Sequence, residues 1–278
     1  MSIGRLILPL VAALWLWPVA AQAQSEALMK ALNQTNALYE QGRYGEAIPF
    51  ARKALELGER EFGPDHPNTA RLLDNLALLY QAQDRYSEAE PLHERALTIK
   101  EKALGPEHPD VGQSLNNLAG LYWAQDKYAE AEPLLKRALA IFEKALGPEH
   151  PDVAMGLNNL AELYRAQGRD AEAEPQYERS LAIREEALGP DHSDVAQSLN
   201  NLALLYRDQG KYAEAEPLFK RALAIFEKAL GPEHPDVATS LENYAALLRK
   251  TGRGTEADKL EARAKVIRAK HAEENTTK

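Results

Sequence analysis

The 278-residue chain contains no cysteine, which excludes disulfides, iron-sulfur clusters and thiol catalysis. It is also short of positive charge. Against 42 Asp and Glu stand 33 Lys and Arg, a formal net charge of -9, so nucleic acid is not an expected partner. Neither a GxxxxGK[ST] phosphate loop, nor HExxH, nor GxSxG, nor a strand followed by GxGxxG occurs, so no catalytic residue, cofactor or metal site is expected. A long apolar run is missing too, except at the start. The opening MSIGRLILPLVAALWLWPVAAQAQ combines Arg5, an apolar run over 6–19 and the small-x-small pattern Ala21-Gln22-Ala23, the form of a secretory signal peptide over 1–23. Interrupted by Pro9 and Pro18, that run is shorter than the ~20 residues that cross a bilayer as a helix. Cleavage after Ala23 would remove Arg5, take the net charge to -10, and leave an exported chain, periplasmic or secreted, without stable membrane insertion.

What the chain has is repetition. Gly63, Gly105, Gly147, Gly189 and Gly231 share a 42-residue register, and four units between them carry GPxH(P/S), LxNLA, LY, YxEAEP and RALxI in order. Self-similarity at a fixed period of this length is the signature of a stacked array of small helical or stranded units. Within one unit Leu115, Leu118, Ala119 and Tyr122 fall at i, i+3, i+4 and i+7, the spacing of one helical face, here named helix A. After the turn Gln125-Asp126-Lys127, a second run with Ala131, Leu134, Leu135, Ala138, Leu139 and Phe142 predicts helix B. So short a link forces the two helices to lie antiparallel. Gly147-Pro148 then stops helix B, and Pro151 with Asp152 suits the first turn of the next helix A.

These paired helices resemble tetratricopeptide repeats, on Leu115, Leu118, Ala119, Tyr122, Tyr128, Ala131, Leu135 and Ala138. The 42-residue form, seen in LNNLALLYRDQGKYAEAEPL over 199–218, is similar to the kinesin light chain class. The resemblance covers about 25–270 and implies an all-α, right-handed superhelical solenoid of antiparallel helix pairs. Six units follow, at about 25–62, 63–104, 105–146, 147–188, 189–230 and 231–272, with 273–278 as a flexible tail. The edge units depart most from the pattern, as terminal repeats with one face in water should. Pro49, Pro91, Pro133, Pro175 and Pro217 are expected near the start of helix B, among amides with no helical partner to lose. Asp170 and Ser193, in place of Tyr and Pro, are expected to loosen the fourth turn and the fifth loop.

Histidines 66, 108, 150, 192 and 234 recur once per unit. Helices packed 8–10 Å apart cannot bring successive ones onto one zinc ion, whose ligands sit about 2.0–2.1 Å away, so a loop-fixing hydrogen bond is expected instead. The asparagines raise a sharper question. Asn75, Asn117, Asn159, Asn201 and Asn243 occupy one column of helix A, flanked by Asn116, Asn158 and Asn200, with Asp74 and Glu242 at the outer units. Asn36 is the expected counterpart in the first unit, whose turn is one residue shorter. Asparagine is less favourable in a helix than alanine by up to about 0.7 kcal/mol, so its repetition needs a compensating role.

An amide offers two donors and an acceptor, the complement of a peptide bond, and the resemblance implies that this column lines a concave groove where a peptide main chain binds. The alternative is that the amides bond from unit to unit and brace the stack. Selectivity would come from a second column, Gln81, Trp123, Arg165, Arg207 and Arg249, whose arginines and indole would favour an acidic peptide with a bulky apolar residue, unless the column is a solvated helix edge with a packed tryptophan. Read together, these features predict a non-enzymatic adaptor for protein or peptide ligands. Two rivals remain: a structural protein that self-associates as a homo-oligomer, and an accessory subunit of an enzyme complex.

Overall fold

The computed structural model of the protein describes residues 25–276, with side chains through residue 272. The segment read as a signal peptide lies outside the described residues. Among those residues there are twelve helices and no strand: α1 (Glu26–Glu40), α2 (Tyr44–Phe62), α3 (Pro67–Gln81), α4 (Tyr86–Leu104), α5 (Pro109–Ala124), α6 (Tyr128–Leu146), α7 (Pro151–Ala166), α8 (Asp170–Leu188), α9 (Ser193–Asp208), α10 (Tyr212–Leu230), α11 (Pro235–Lys250) and α12 (Gly254–Thr276). Odd-numbered helices are the A helices and even-numbered ones the B helices. This is an all-α repeat fold, and its helices divide into two compact units, an upstream one ending at Ile141 and a downstream one starting at Phe142.

Each A helix from α3 on begins the same way. The Nδ1 atoms of His66, His108, His150, His192 and His234 accept from the backbone N–H two residues on, at 3.1–3.2 Å. An imidazole thus stands where Ser, Asp or Asn usually caps a helix, and it satisfies a donor that the first turn would leave open. The expected loop-fixing bond is therefore a helix cap. Just upstream, Gly105 has φ 90° and ψ 153°, and its equivalents match it closely, a region of backbone space open only to glycine.

In the upstream unit α2 packs on α1 and α3, α4 on α3 and α5, and α3 touches α5. Its core holds Leu28, Ala54, Leu72, Leu73, Ile99, Leu76, Tyr80, Leu118 and Leu121. In the downstream unit α8 packs on α7 and α9, α10 on α9 and α11, and α12 on α11. Val195, Leu199, Ile225, Phe226, Leu241 and Ile267 form one cluster there, and Phe219, Tyr244, Leu247 and Leu248 another. Each large side chain so buried contributes roughly 1.5–3 kcal/mol. Where α10 packs Leu223 and Phe226 against this core, α12 has Lys265 and Arg268, both exposed, so the last helix offers charge in place of apolar surface.

Successive B helices are also tied by a charge pattern that the repeat motif does not announce. Arg95 pairs with Glu59, Arg137 with Glu101, Arg179 with Glu143, Arg221 with Glu185 and Arg263 with Glu227. The same guanidinium reaches back to the carbonyl of Pro64, Pro106, Pro148, Pro190 or Pro232, fixing the loop before each A helix.

Several expectations need correction. Pro91 and its equivalents stand sixth in their helices, beyond the partnerless first amides, so each removes one helical hydrogen bond while the helix continues. Asp170 and Ser193 open α8 and α9 as regularly as Tyr212 and Pro235 open α10 and α11, because the caps Arg169 and His192 keep the backbone angles of their equivalents. Residues 273–276, expected in a flexible tail, continue α12. Counting back from Tyr39 against Tyr80, the first-unit counterpart of Asn75 is Gln34 rather than Asn36, and Gln34 lies with Asn33 and Met29 on the open side of α1.

Candidate functional site

The two amide columns lie on the A helices as the spacing requires. On α5 the core face of Leu115, Leu118 and Ala119 is buried, Gln113 is exposed, and Asn117 is half-buried between the two environments. Position 116, one residue round the helix, turns inward: Asn116, Asn158 and Asn200 are buried, as is Asp74 at the same place in α3. Both columns run along each unit, but their hydrogen bonds differ from one unit to the other.

Downstream, the columns bond to each other. The Asn201 Nδ2 donates to Asn158 Oδ1 at 3.0 Å, and the Asn243 Nδ2 donates to Asn200 Oδ1 at 3.2 Å. Each bond links neighbouring A helices, and Asn201 is itself buried. These four asparagines brace the stack.

Upstream, the brace does not form. Asp74 occupies the acceptor position facing Asn117, and both of its oxygens are engaged elsewhere. His93 Nδ1 lies 2.7 Å from Oδ1, while Lys100 Nζ and Ser114 Oγ donate to Oδ2 at 2.8 and 3.0 Å. Lys100 also donates to Ser114 Oγ at 2.8 Å, and all four side chains are buried. Burial works to raise the Asp74 pKa, but the Lys100 charge and the bonds from His93 and Lys100 outweigh it and bring it down to about 2. Asn117 keeps one bond, accepting at Oδ1 from Gln113 Nε2 at 3.1 Å, and its Nδ2 has no hydrogen-bond partner among the described residues. Asn75 upstream and Asn159 downstream, both half-buried, likewise keep their amides unbonded among the described residues. The buried Asn116 amide has a partner at neither Oδ1 nor Nδ2.

The selectivity column is not a free basic surface. Arg165 donates to Glu162 at 3.1 Å and to Asp208 at 3.0 Å, and Glu162 is a buried carboxylate that also accepts from Tyr177. Burial first, and then the Glu162 charge, push the Tyr177 hydroxyl well above its ordinary pKa. Arg207 pairs with Asp208 at 2.7 Å, and Arg249 pairs with Asp258 and Glu261, each at 2.7 Å. All three guanidiniums thus have a carboxylate of this chain. Trp123 is half-buried, with its indole nitrogen enclosed and unbonded. Among the described residues, no group of His, Asp or Glu is placed to hold a metal ion, and no helix is long and apolar enough to cross a membrane.

The Asp74 cluster escaped the repeat motif because each of its residues is unremarkable alone. A register comparison carries the signal: His93 stands where later units have Leu135, Tyr177 and Phe219, and Lys100 stands where they have Phe142, Arg184 and Phe226.

Antiparallel helix pairs repeated every 42 residues, with amide columns on the A helices, define an all-α helical-repeat protein. The chain belongs to the tetratricopeptide repeat family, which matches residues 27–102, 75–144, 110–186, 152–228 and 194–265, and within it to the 42-residue, kinesin light chain-like class. Nearly identical TPR-like repeats of a kinesin light chain-like protein from Podosopora anserina are 34% identical, over 74% of this chain and 97% of that one, with a TM-score of 0.61. BtubC (BKLC) from P. vanneervenii is 24% identical, over 90% of this chain and 92% of that one, with a TM-score of 0.64, a likeness of fold. A Rap protein in complex with Competence and Sporulation Factor shares the fold at 18% identity, over 91% of this chain and 78% of that one, with a TM-score of 0.64. No curated protein gives a significant match.

Proposed function

We propose that the protein is an exported, non-enzymatic adaptor that binds peptide segments of partner proteins along its A helices. The observation that carries this reading is the set of half-buried side-chain amides at Asn75, Asn117 and Asn159 whose donors have no partner among the described residues. Asparagine inside a helix is unfavourable, and an amide that braces nothing lacks the structural reason that Asn201 and Asn243 have. Its donors match the carbonyl of an extended chain without reading side chains. The fold shared with a Rap protein solved with Competence and Sporulation Factor supports the same reading. Export rests on the signal-peptide pattern of residues 1–23, and placement in a periplasm or outside the cell follows from it.

Preference for acidic segments with a bulky apolar residue is the finer part of the proposal. Paired arginines weigh against a strong charge preference, since an acidic ligand must displace Asp208, or Asp258 and Glu261, before it gains a guanidinium. Main-chain contact therefore takes first place, with Trp123 offering the apolar surface. The test is calorimetric titration of the full chain with a twelve-residue peptide holding one leucine among glutamates, and with its glutamine counterpart. Binding of both, weakened by Asn75→Ala and Asn159→Ala, supports main-chain recognition. Absence of heat with either peptide and unchanged Trp123 fluorescence would remove the reading. Loss of binding to the acidic form alone at high salt would restore weight to the arginines.

A further inference from the structure

The downstream unit contains a built-in reference for the Asp74 cluster. At the positions of Asp74, His93, Lys100 and Ser114 it carries Asn200, Phe219, Phe226 and Ser240. In that apolar setting Asn200 is free to accept, and the next A helix closes the brace through Asn243 at 3.2 Å. In the upstream unit the equivalent donor is Asn117. Its acceptor is a carboxylate, which should attract an amide more strongly than a neutral carbonyl does. The brace is nonetheless absent, and the difference lies in what surrounds the acceptor.

We infer that the buried cluster of His93, Lys100 and Ser114 around Asp74 is a positioning device that turns the carboxylate away from Asn117 and holds the Asn117 amide available to a peptide carbonyl. Three donors converge on Asp74 from α4 and α5, His93 on Oδ1 and both Lys100 and Ser114 on Oδ2. Lys100 brings a full opposite charge as well as a hydrogen bond, which a neutral amide cannot match, and with His93 it holds the carboxylate. The geometry of Asn117 completes the argument. Gln113 holds its Oδ1 at 3.1 Å, which fixes the amide plane and leaves Nδ2 pointing away from that bond. The same residue type thus braces at Asn243 and stays open at Asn117, and the three buried side chains around Asp74 are what sets the two places apart. This inference rests on the peptide-binding reading for the use of the amide, though not for its availability.

The test is a reciprocal transplant in the full chain, read by hydrogen exchange of assigned asparagine side-chain amides in 15N-labelled protein. Asp74→Asn with His93→Phe and Lys100→Phe gives the upstream unit the downstream surroundings, and Asn117 exchange should slow by up to about tenfold as the brace forms. Asn200→Asp with Phe219→His and Phe226→Lys should speed Asn243 exchange by a similar factor. Slow Asn117 exchange in the parent, or equal rates in parent and transplant, overturns the inference, and the second transplant decides the matter if the first does not fold. The leucine–glutamate peptide supplies the functional arm. Its affinity should fall by roughly threefold to tenfold when Asn117 is captured, in line with one hydrogen bond. Exchange that slows while affinity stays constant also overturns it, since Asn117 then meets no ligand. If the peptide fails to bind the parent at all, the adaptor reading falls, and the exchange rates still decide whether the cluster controls Asn117.

Discussion

The upstream and downstream units solve one packing problem in two ways. Both must bury a polar side chain at the position where one A helix meets the next. Downstream, the answer is neutral: Asn158 and Asn200 accept from Asn201 and Asn243, and the amides saturate each other across repeats. Upstream, Asp74 is ionic and is satisfied by His93 and Lys100 of its own helix pair and by Ser114 of the next A helix. A buried ion pair adds little net stability over an apolar replacement, yet removing one partner is expensive, so charge at this place fixes geometry more than it adds stability. The lesson is that identical consensus residues carry different duties according to the acceptor they face.

The largest effect should come from breaking the ionic answer halfway. Lys100→Ala leaves Asp74 buried without its cation and should destabilise the upstream unit by about 3–5 kcal/mol, whereas Asp74→Asn with His93→Phe and Lys100→Phe should stay within about 1 kcal/mol of the parent. Urea unfolding followed by region-resolved hydrogen exchange separates the units, which a single melting curve of a repeat array does not. Equal losses for both variants would show that the cluster acts by packing rather than by charge.

Acid sharpens the same contrast. The Asp74 carboxyl is held at about 2, below its ordinary 3.8, so the folded state binds its proton less readily than the unfolded state does. Its stabilising contribution is complete above about pH 4 and is lost as pH falls through about 2, on the order of 2 kcal/mol. Downstream, Glu216 is also held at about 2 by bonds from Lys220 and Arg253, but it stands in partial contact with water and its effect is screened. Exchange rates measured between pH 4 and pH 2 should therefore rise first in α3, α4 and α5. Simultaneous loss in both units would erase the distinction.

Next in size is the asparagine column itself. Asn201→Ala removes a buried donor and strands Asn158 Oδ1, a loss of about 1–3 kcal/mol. Asn117→Ala removes no inter-repeat bond and gains up to about 0.7 kcal/mol of helix propensity, so it should be neutral or stabilising. Thermal unfolding of the two single variants checks the sign of each. Matching losses would make Asn117 a brace after all.

Much of this architecture is legible in the chain. The helix pairs follow from Leu115, Leu118 and Tyr122 at helical spacing, and the turns follow from the glycines, because both are local and repeat in register. The place of the amide columns on helix A is equally local. Their partners are not. Whether Asn117 or Asn201 finds an acceptor depends on residues 40 or more positions away, and on exceptions such as His93 and Lys100 that the shared motif averages out. The arginines mislead for the same reason, since the pairing of Arg165 with Asp208 spans neighbouring repeats and turns an apparent basic column into a neutral one.

The smallest test concerns the turns between A and B helices. Upstream, Asp84 and Asp126 stand at φ 59°, and downstream Gly168, Gly210 and Gly252 hold the same place at φ 72° to 76°. Left-handed backbone costs a residue with a side chain roughly 1–2 kcal/mol, which glycine avoids. The upstream aspartates recover part of it, because Tyr86 and Tyr128 donate to them at 2.8 Å from two residues on. Downstream the substitution can be run in reverse with two outcomes. Gly210→Asp meets Tyr212 and should regain such a bond, whereas Gly168→Asp meets Asp170, a second carboxylate with no proton to give. Gly168→Asp should thus lose roughly 1–2 kcal/mol and Gly210→Asp about 1 kcal/mol less, a gap of one exposed hydrogen bond. Equal losses in denaturant melts would mean that the tyrosine hydroxyl contributes nothing, and that the upstream aspartates are tolerated for the backbone alone.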